Sequence, residues 1–467
     1  MFNYQLSTPG EYILFSLKAY FFIFSLLAAG YLIYLLPGFG IKLMKTKRII
    51  PFISFLCIIL CSIFFITRDI IIIINAAIIG FYGFCLLLST KQALSQNSSK
   101  KAGKTGIPQV GDYPEVSILF PLKNEQNVIT RSLDKVFEAD YPGDKIHVIV
   151  IDDHSTDGTA VILEEYKKKN PITLYHNQGK PGKASAINDF LPKLKTDFVV
   201  ILDADHQMSK NFLKEAVQYF TDPKVGLVQG MNCIRNGNQS IVAKLVELEF
   251  IGLHQIIYYT KPMAVYLGSG AMIRTEAFKA AGEFNNDIAT EDWELCFRIH
   301  QKNYNVIFSN RFCTYELAAV RVREFLKQRY RWLRGTWQAV KIQYANMINS
   351  KNMSVPKKID FILAGFFPFT LVSYFTINVF YALDFLHIIS WPINPVWLLC
   401  LNLPFMIYYV AASLFARKAH MLLVIPLVPL FYILYSMATF EAMFDEWVIN
   451  SSFLGEKADR SAVKVKD

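Results

Sequence analysis

The chain has 467 residues, of which 53% are hydrophobic and only 18% are charged. Soluble chains carry roughly 25% charged residues, so the composition argues against a fully soluble protein, and it excludes a disordered one. The formal net charge of +10 favours basic loops facing anionic lipid over nucleic-acid binding in so apolar a chain. Seven cysteines without a Cys-x-x-Cys pair predict buried thiols, and neither a disulfide framework nor a zinc site.

Apolar runs near both ends of the chain have about the 20 residues that a membrane-spanning helix needs. They predict an N-terminal membrane region at 1–88, a C-terminal membrane region at 348–440 and a tail at 441–467. The six predicted helices are 12–36, 49–67, 70–88, 359–383, 391–415 and 421–440. Basic residues are concentrated after the first run and in the linker at 89–112, which the positive-inside rule places in the cytoplasm. We therefore expect a multi-pass protein of the plasma or inner membrane with residues 113–347 in the cytoplasm.

Residues 113–347 alternate short apolar strands with charged helical segments, a pattern typical of an α/β domain. One predicted strand ends in Asp152 and Asp153, where carboxylates would face the ligand crevice of a doubly wound sheet. The alternative is an ordinary strand-to-helix turn in which Ser155 or Asp157 caps a helix.

A second predicted strand, Asp197–Leu202, ends in Asp203-Ala204-Asp205. Two aspartates spaced by one residue after a buried strand can hold Mg²⁺ or Mn²⁺, which prefer oxygen ligands and accept a diphosphate as co-ligand. Between the two acidic motifs, Lys183 follows a glycine and is a candidate to pair with phosphate.

Three further motifs follow in the second half of this domain. They are Gly268-Ser269-Gly270, Thr290-Glu291-Asp292 and Gln328-Arg329-Tyr330-Arg331-Trp332. For the second motif the alternative is a plain helix start capped by Thr290. In the third, helical spacing places Gln328, Arg331 and Trp332 on one face, opposite an apolar stripe. Arginines and lysines flank that helix, as expected at an anionic surface, and they are Arg321, Arg323, Lys327 and Arg334.

Together and in this order, these motifs resemble the family 2 glycosyltransferases with a GT-A fold. With flanking membrane helices, the arrangement is similar to the membrane-embedded synthases of cellulose, chitin, hyaluronan and poly-N-acetylglucosamine. The resemblance covers roughly Pro114 to Gln343. It implies an α/β GT-A domain at 113–347, inserted between two bundles of transmembrane helices.

The resemblance also implies a role for each motif residue. Asp292 would be the general base, and Asp203 with Asp205 would hold Mg²⁺ or Mn²⁺. Asp153 would hold uridine, with Asp152 and Glu125 as lesser candidates. The remaining substrate-binding residues would be Lys183 for phosphate, Gly268, Ser269 and Gly270 near the acceptor sugar, Gln328 and Arg331 at the diphosphate, and Trp332 stacked on the acceptor sugar.

The predicted function is an inverting, divalent-metal-dependent transfer of a hexosyl unit from a UDP-sugar to a growing β-linked polysaccharide, processive and coupled to export. One alternative is a single transfer to a lipid acceptor, for example to make a glycosyl diacylglycerol. A distant alternative is a transporter with a nucleotide-sensing domain. The implied partners are a UDP-sugar, a polysaccharide or lipid-linked acceptor and membrane lipids, and no nucleic acid.

Overall fold

In a computed structural model of the chain, the described residues are 112–260, 266–362, single positions between 365 and 387, and 395–446. The predicted helices at 12–36, 49–67 and 70–88 lie outside these residues. The chain divides into two compact units. The sheet unit contains residues 112–325 and 335–365, and the helical unit contains residues 326–334 and the described positions of 366–446.

The sheet unit is built on a mixed sheet, in which eight strands are described. In chain order they are β1 (Val116–Leu122), β2 (Ile146–Asp152), β3 (Ile172–His176), β4 (Phe198–Ile201), β5 (Gln207–Met208), β6 (Val225–Ile234), β7 (Ala271–Arg274) and β8 (Asn305–Glu316). The spatial order is β3-β2-β1-β4-β7-β6-β8-β5. The first four strands in that order are parallel, whereas β7 runs antiparallel to both β4 and β6. This arrangement confirms the predicted α/β domain.

The central strands are buried on both faces, which explains why they appear in the sequence as continuous apolar runs. All seven residues of β1 are buried. Ile118 and Phe120 pack into one hydrophobic layer, whereas the intervening Leu119 packs into the layer on the opposite face. Burying one such side chain contributes about 1.5–3 kcal/mol, so the sheet forms a stable base for the loops at its edge.

Helices cover both faces of the sheet. Those of the sheet unit are α1 (Ile129–Phe137), α2 (Thr159–Lys167), α3 (Lys183–Phe190), α4 (Phe212–Val217), α5 (Ile241–Thr260), α6 (Thr275–Ala281) and α7 (Glu291–Gln301). The long helix α8 (Val322–Asn349) contributes residues 326–334 to the helical unit and its other residues to the sheet unit.

The helical unit also contains α9 (Pro395–Phe415) and α10 (Val428–Phe444), and a 3₁₀ segment, Ala419–Leu427, directly precedes α10. Among the described residues, one continuous helical stretch, 419–444, is long and apolar enough to cross a membrane. It includes the predicted span at 421–440. The multi-pass topology stays a prediction.

Candidate active site

Strand register brings the two acidic motifs and the Gly268-Ser269-Gly270 motif to one edge of the sheet. β1 and β2 are parallel and place Leu122 opposite Asp152, so both strands end at this edge. β4 ends at Ile201, two residues before Asp203, and pairs there with Ala271 of the antiparallel β7. Because antiparallel neighbours place the end of one strand beside the start of the other, residues just before β7 must meet residues just after β4.

The loop before β7, residues 266–270, contacts two predicted functional residues, and we call it the Gly268 loop. The Ser269 hydroxyl oxygen accepts a hydrogen bond from the Asp203 backbone N–H at 3.1 Å. Gly268 has φ of +80°, and a Cβ built there would lie 2.5 Å from Oδ2 of Asp292. Only glycine both adopts this conformation cheaply and leaves room for the carboxylate. The Gly268 loop therefore lies between the predicted metal ligand and the predicted base.

Lys183 occupies the space beside this loop. Its Nζ lies 2.7 Å from Oδ1 of Asp203 and donates a hydrogen bond to the Gly268 carbonyl at 2.8 Å. Burial by itself lowers the pKa of Lys183, but the charges of Asp203, Glu291 and Asp292 outweigh it and raise the pKa above its ordinary value. Lys183 is therefore a fixed cation among carboxylates, and in this structure its partner is Asp203.

Asp292 lies in the first turn of α7, where its Oδ1 accepts the N–H of Trp293 at 2.8 Å. Thr290 occupies the N-cap position, but its side chain makes no capping hydrogen bond. The helix therefore starts at Thr290 with an acidic first turn, as the alternative expected, but without a side-chain cap. The helix dipole favours acidic residues in this first turn. The second carboxylate oxygen of Asp292, Oδ2, faces the Gly268 loop.

The second half of α8 supports the segment before Asp292, which the sequence reasoning missed. A Cβ at Gly335 would lie 2.7 Å from the backbone N of Thr290. Three residues further along, Oε1 of Gln338 accepts the N–H of Ala289 at 3.1 Å. A glycine inside a helix costs about 1 kcal/mol relative to alanine. Its presence at position 335 was therefore the sequence signal that another segment approaches the helix closely at that point.

Asp152, the last residue of β2, and Asp153, which follows it, both have partners within the sheet unit. Asp153 is buried, and its two carboxylate oxygens accept hydrogen bonds from Nδ2 of Asn177 at 2.7 Å and from the Gly182 N–H at 2.8 Å. Asp152 faces His176, with Oδ2 3.4 Å from Nδ1. Asp153 thus fixes the segment that leads into α3 and Lys183. Uridine binding by either aspartate stays a prediction.

The turn after β2 also bears on the helix-capping alternative. Oδ1 of Asp157 accepts the N–H of Thr159, the first residue of α2, at 3.0 Å, so Asp157 does support the start of this helix. Ser155 instead accepts the N–H of Asn124 at 3.0 Å. Glu125 is buried, and its own N–H donates to the Thr159 hydroxyl at 2.9 Å. Substrate binding by Glu125 stays a prediction.

The acidic pair after β4 supplies the oxygen donors that Mg²⁺ or Mn²⁺ prefers. The Asp203 side chain is about one-third exposed, whereas Asp205 is fully buried. No group of three or more His, Cys, Asp or Glu side chains with metal-site spacing occurs among the described residues. The partly exposed Asp203 carboxylate offers donors that suit a divalent ion, and metal binding by Asp203 and Asp205 stays a prediction.

Behind this pair, His206 is buried and its Nε2 lies 2.9 Å from Oε2 of Glu316 at the end of β8. Burial lowers the pKa of His206, but the hydrogen bond and charge of Glu316, with the charges of Asp205 and Asp203, raise it above the ordinary value. His206 thus forms a buried ion pair with a residue more than 100 positions away in the chain.

The third motif lies in the helical unit. The guanidinium of Arg329 stacks 4.2 Å above the Trp332 ring and also donates to Oε1 of Gln328 at 2.9 Å. Arg329 is fully buried and lies 5.5 Å from the Tyr435 ring on α10. A buried arginine thus orders two of the three predicted side chains. Sugar and diphosphate binding by Gln328, Arg331 and Trp332 stays a prediction.

One expectation about this helix is wrong. Arg334 was expected at an anionic surface, but its side chain is 1% exposed, and its Nε donates to Oε2 of Glu446 at 3.2 Å. Its Nη1 also donates to the Tyr330 hydroxyl, which in turn donates to Asp445 at 2.6 Å. A buried guanidinium requires such partners, whereas sequence spacing alone does not show that they exist.

A mixed α/β sheet with acidic residues at its carboxyl edge defines a GT-A-like domain, the class predicted above. Residues 117–282 match the model of glycosyl transferase family 2, and this segment is a family 2 glycosyltransferase domain. The fold is also that of a solved structure, the mannosyltransferase PcManGT from Pyrobaculum calidifontis in complex with GDP-Man and Mn²⁺. The TM-score is 0.56 at 22% identity, and the match covers 81% of this chain and 99% of that one.

Two kinds of characterised relative match the chain. It is 28% identical over 278 residues to the beta-monoglucosyldiacylglycerol synthase of Synechocystis sp., a match covering 58% of this chain and 56% of that protein. It is 27% identical over 245 residues to the poly-beta-1,6-N-acetyl-D-glucosamine synthase of Staphylococcus epidermidis, covering 51% and 59% respectively. The matched segment thus spans little more than half of each relative. The prediction of a glycosyltransferase domain is confirmed for residues 117–282.

Proposed function

We propose that the chain transfers a hexosyl unit from a nucleoside diphosphate sugar, with UDP as the carrier, to a hydroxyl of a growing β-linked polysaccharide. The observation that carries the proposal is the Gly268 loop, which has Asp203 hydrogen-bonded on one side and the Asp292 carboxylate against it on the other. The proposed base and the carboxylate proposed to hold the metal ion therefore both lie beside one short loop. A direct displacement needs a base on the attacked side of the anomeric carbon and positive charge on its departing side.

In the proposed reaction, Asp292 accepts the proton of the acceptor hydroxyl as its oxygen attacks the anomeric carbon. The new glycosidic bond forms while the bond from that carbon to the diphosphate oxygen breaks, and the nucleoside diphosphate departs with the electron pair. One displacement at an α-linked donor gives a β-linked product. The Asp292 side chain is held in place for this role, because its Oδ1 accepts the Trp293 N–H and its Oδ2 faces the Gly268 loop.

On the leaving-group side, Asp203 is the residue that would hold Mg²⁺ or Mn²⁺, with Asp205 buried behind it. When bound, the divalent ion would supply positive charge beside the departing diphosphate. Lys183 already places one positive charge 2.7 Å from Asp203. Its ammonium group is therefore available to move toward diphosphate oxygens, as the resemblance implied.

There are two candidates for the acceptor, a polysaccharide and a lipid. The relative from Staphylococcus epidermidis is named as a polysaccharide synthase and the relative from Synechocystis as a diacylglycerol glucosyltransferase. Polymer synthesis is favoured by the Gln-x-x-Arg-Trp motif at 328–332, which accompanies processive members of the family that the sequence resembles. Export of the polymer and a multi-pass topology belong to the same proposal. Sizing the labelled product made with an oligosaccharide primer or with diacylglycerol distinguishes a polymer from a single-sugar lipid.

The chemical step is tested by Asp292→Asn, which preserves size but cannot accept a proton. Transfer should fall by roughly 10²–10⁴-fold, the range for a lost general base, while UDP affinity and thermal stability stay near wild type. Asp287→Asn, an exposed carboxylate five residues earlier, is the matched control and should keep full activity. Transfer by Asp292→Asn within a few-fold of wild type would overturn the assignment of the base.

A further inference from the structure

Gln229 is a fully buried amide beside the Gly268 loop that none of the sequence motifs includes. It lies on β6 directly opposite Ala271, the first residue of β7, in the antiparallel register. Ala271 follows the Gly268 loop without a gap. The register therefore places the Gln229 side chain next to the loop that separates Asp203 from Asp292.

The amide of Gln229 binds the backbone of this loop at several points. Its Oε1 accepts the N–H of Leu267 at 2.9 Å, and its Nε2 lies 3.0 Å from the Ser269 carbonyl and 3.1 Å from the Gly270 carbonyl. The same Nε2 also lies 3.0 Å from the Gly230 carbonyl and 3.3 Å from Oδ1 of Asn232. Four oxygen atoms thus surround Nε2 of Gln229, which carries two protons. The carbonyl oxygens of the Gly268 loop are among the nearest of the four.

A buried amide that both donates to a loop and accepts from it fixes the path of the loop backbone more tightly than packing alone. Loops before a strand carry backbone groups that must find partners when buried, and here Gln229 supplies them within the same sheet. The Gly268 loop in turn accepts the Lys183 ammonium at the Gly268 carbonyl and the Asp203 N–H at the Ser269 hydroxyl. A shift of the loop would therefore move several functional groups relative to Asp292.

We propose that Gln229 is a positioning residue for glycosyl transfer: its amide holds the Gly268 loop, and so sets the geometry between Asp292 and the donor. This rests on the proposed function of Asp292 as the base. Gln229 lies in the strand behind the loop, and its effect passes through the loop backbone. Loss of the amide should therefore lower kcat more than it weakens donor binding.

The test uses the full chain in detergent or nanodiscs and compares Gln229→Leu with wild type. We expect kcat to fall about 10- to 100-fold, since a misplacement of about 1 Å can cost 10²-fold, with the KM for the UDP-sugar within about threefold. Gln229→Asn keeps a buried amide but shortens its reach by one methylene, so its kcat should lie between those of wild type and Gln229→Leu. A fall in kcat of Gln229→Asn relative to wild type carries the test if Gln229→Leu does not fold, and wild-type kcat in Gln229→Asn would then overturn the proposal.

The matched control is Asn236→Leu, which removes another buried amide. Asn236 accepts the Ala318 N–H at 2.7 Å and donates to the Ala318 carbonyl at 2.9 Å, so its loss should lower thermal stability to a similar extent. We expect Asn236→Leu to keep kcat within about threefold of wild type. Equal losses of kcat in Gln229→Leu and Asn236→Leu would show a merely structural role and overturn the proposal.

A double-mutant cycle separates this inference from the assignment of the base. If Gln229 acts by placing Asp292, then Gln229→Leu should have less than about a threefold further effect in the Asp292→Asn background. A full 10- to 100-fold loss in both backgrounds would overturn the positioning role and leave the base intact. An Asp292→Asn single mutant near wild type would instead overturn the proposed role of Asp292 as the base.

Discussion

Gly268→Ala should disable transfer while leaving the protein folded. Gly268 has φ of +80°, a backbone conformation that alanine adopts at a cost of roughly 1–2 kcal/mol. The new Cβ would lie 2.5 Å from Oδ2 of Asp292, where ordinary van der Waals contact begins at 3.4 Å. The overlap falls on the end of a flexible side chain, so the carboxylate can move aside and the cost in stability stays near the backbone strain alone.

The catalytic cost is larger, because the group that must move is the proposed base. Removing the overlap requires Asp292 to shift by about 1 Å, and a displacement of that size in a reacting group can cost about 10²-fold in rate. We therefore expect kcat to fall about 100-fold. The apparent melting temperature should fall only by the few degrees that about 1–2 kcal/mol produces in a domain of this size.

Gly282→Ala is the matched control for backbone strain. Gly282 has φ of +87°, but a Cβ there would meet only Nη1 of Arg298, at 3.5 Å. Its stability loss should equal that of Gly268→Ala, and its kcat should stay near wild type. The measurements are initial rates with a radiolabelled UDP-sugar and thermal unfolding of the same preparations. Wild-type kcat in Gly268→Ala, with a comparable stability loss in both variants, would refute the contact between Gly268 and Asp292.

Two further predictions concern the charged groups at this edge. Lys183→Met removes the cation that competes for Asp203, so Mn²⁺ binding without nucleotide should tighten about tenfold while transfer falls; calorimetric titration with Mn²⁺ checks this, and an unchanged Kd contradicts it. For Glu316→Gln, the sign follows from the pKa of His206, which is raised above 6.5. The stability from this pair is present below pH 6.5 and is lost as the pH rises through the raised pKa. In EDTA, the difference in melting temperature between wild type and Glu316→Gln should therefore shrink as the pH rises above 6.5, and a constant difference would contradict the pairing.

Sequence reasoning predicted the strand ends because a buried parallel strand is a continuous apolar run that stops at polar residues. The run before Asp203 was expected at Asp197–Leu202, and the strand is Phe198–Ile201. The limits of such a strand depend on local composition, which a single sequence displays directly.

The features that were missed depend on pairs of residues far apart in the chain. Gln229 acts on residues about 40 positions later through the register of β6 and β7, and neither strand was predicted. His206 meets Glu316, and Arg334 meets Glu446, each across more than 100 positions. Helical spacing placed Arg334 on a basic flank, yet the buried partner decides its environment. Local patterns contain no information about such pairings.

The charges around the Gly268 loop connect the proposed metal with the proposed donor. The carboxylates of Asp203, Glu291 and Asp292 all act on the Lys183 ammonium, so one positive charge faces three negative ones. A diphosphate brought to this edge alone would add to an excess of negative charge and be repelled. A divalent cation at Asp203 would offset that excess. The excess of negative charge at this edge would thus disfavour a nucleotide without a metal ion. It would favour a nucleotide that binds together with its metal ion.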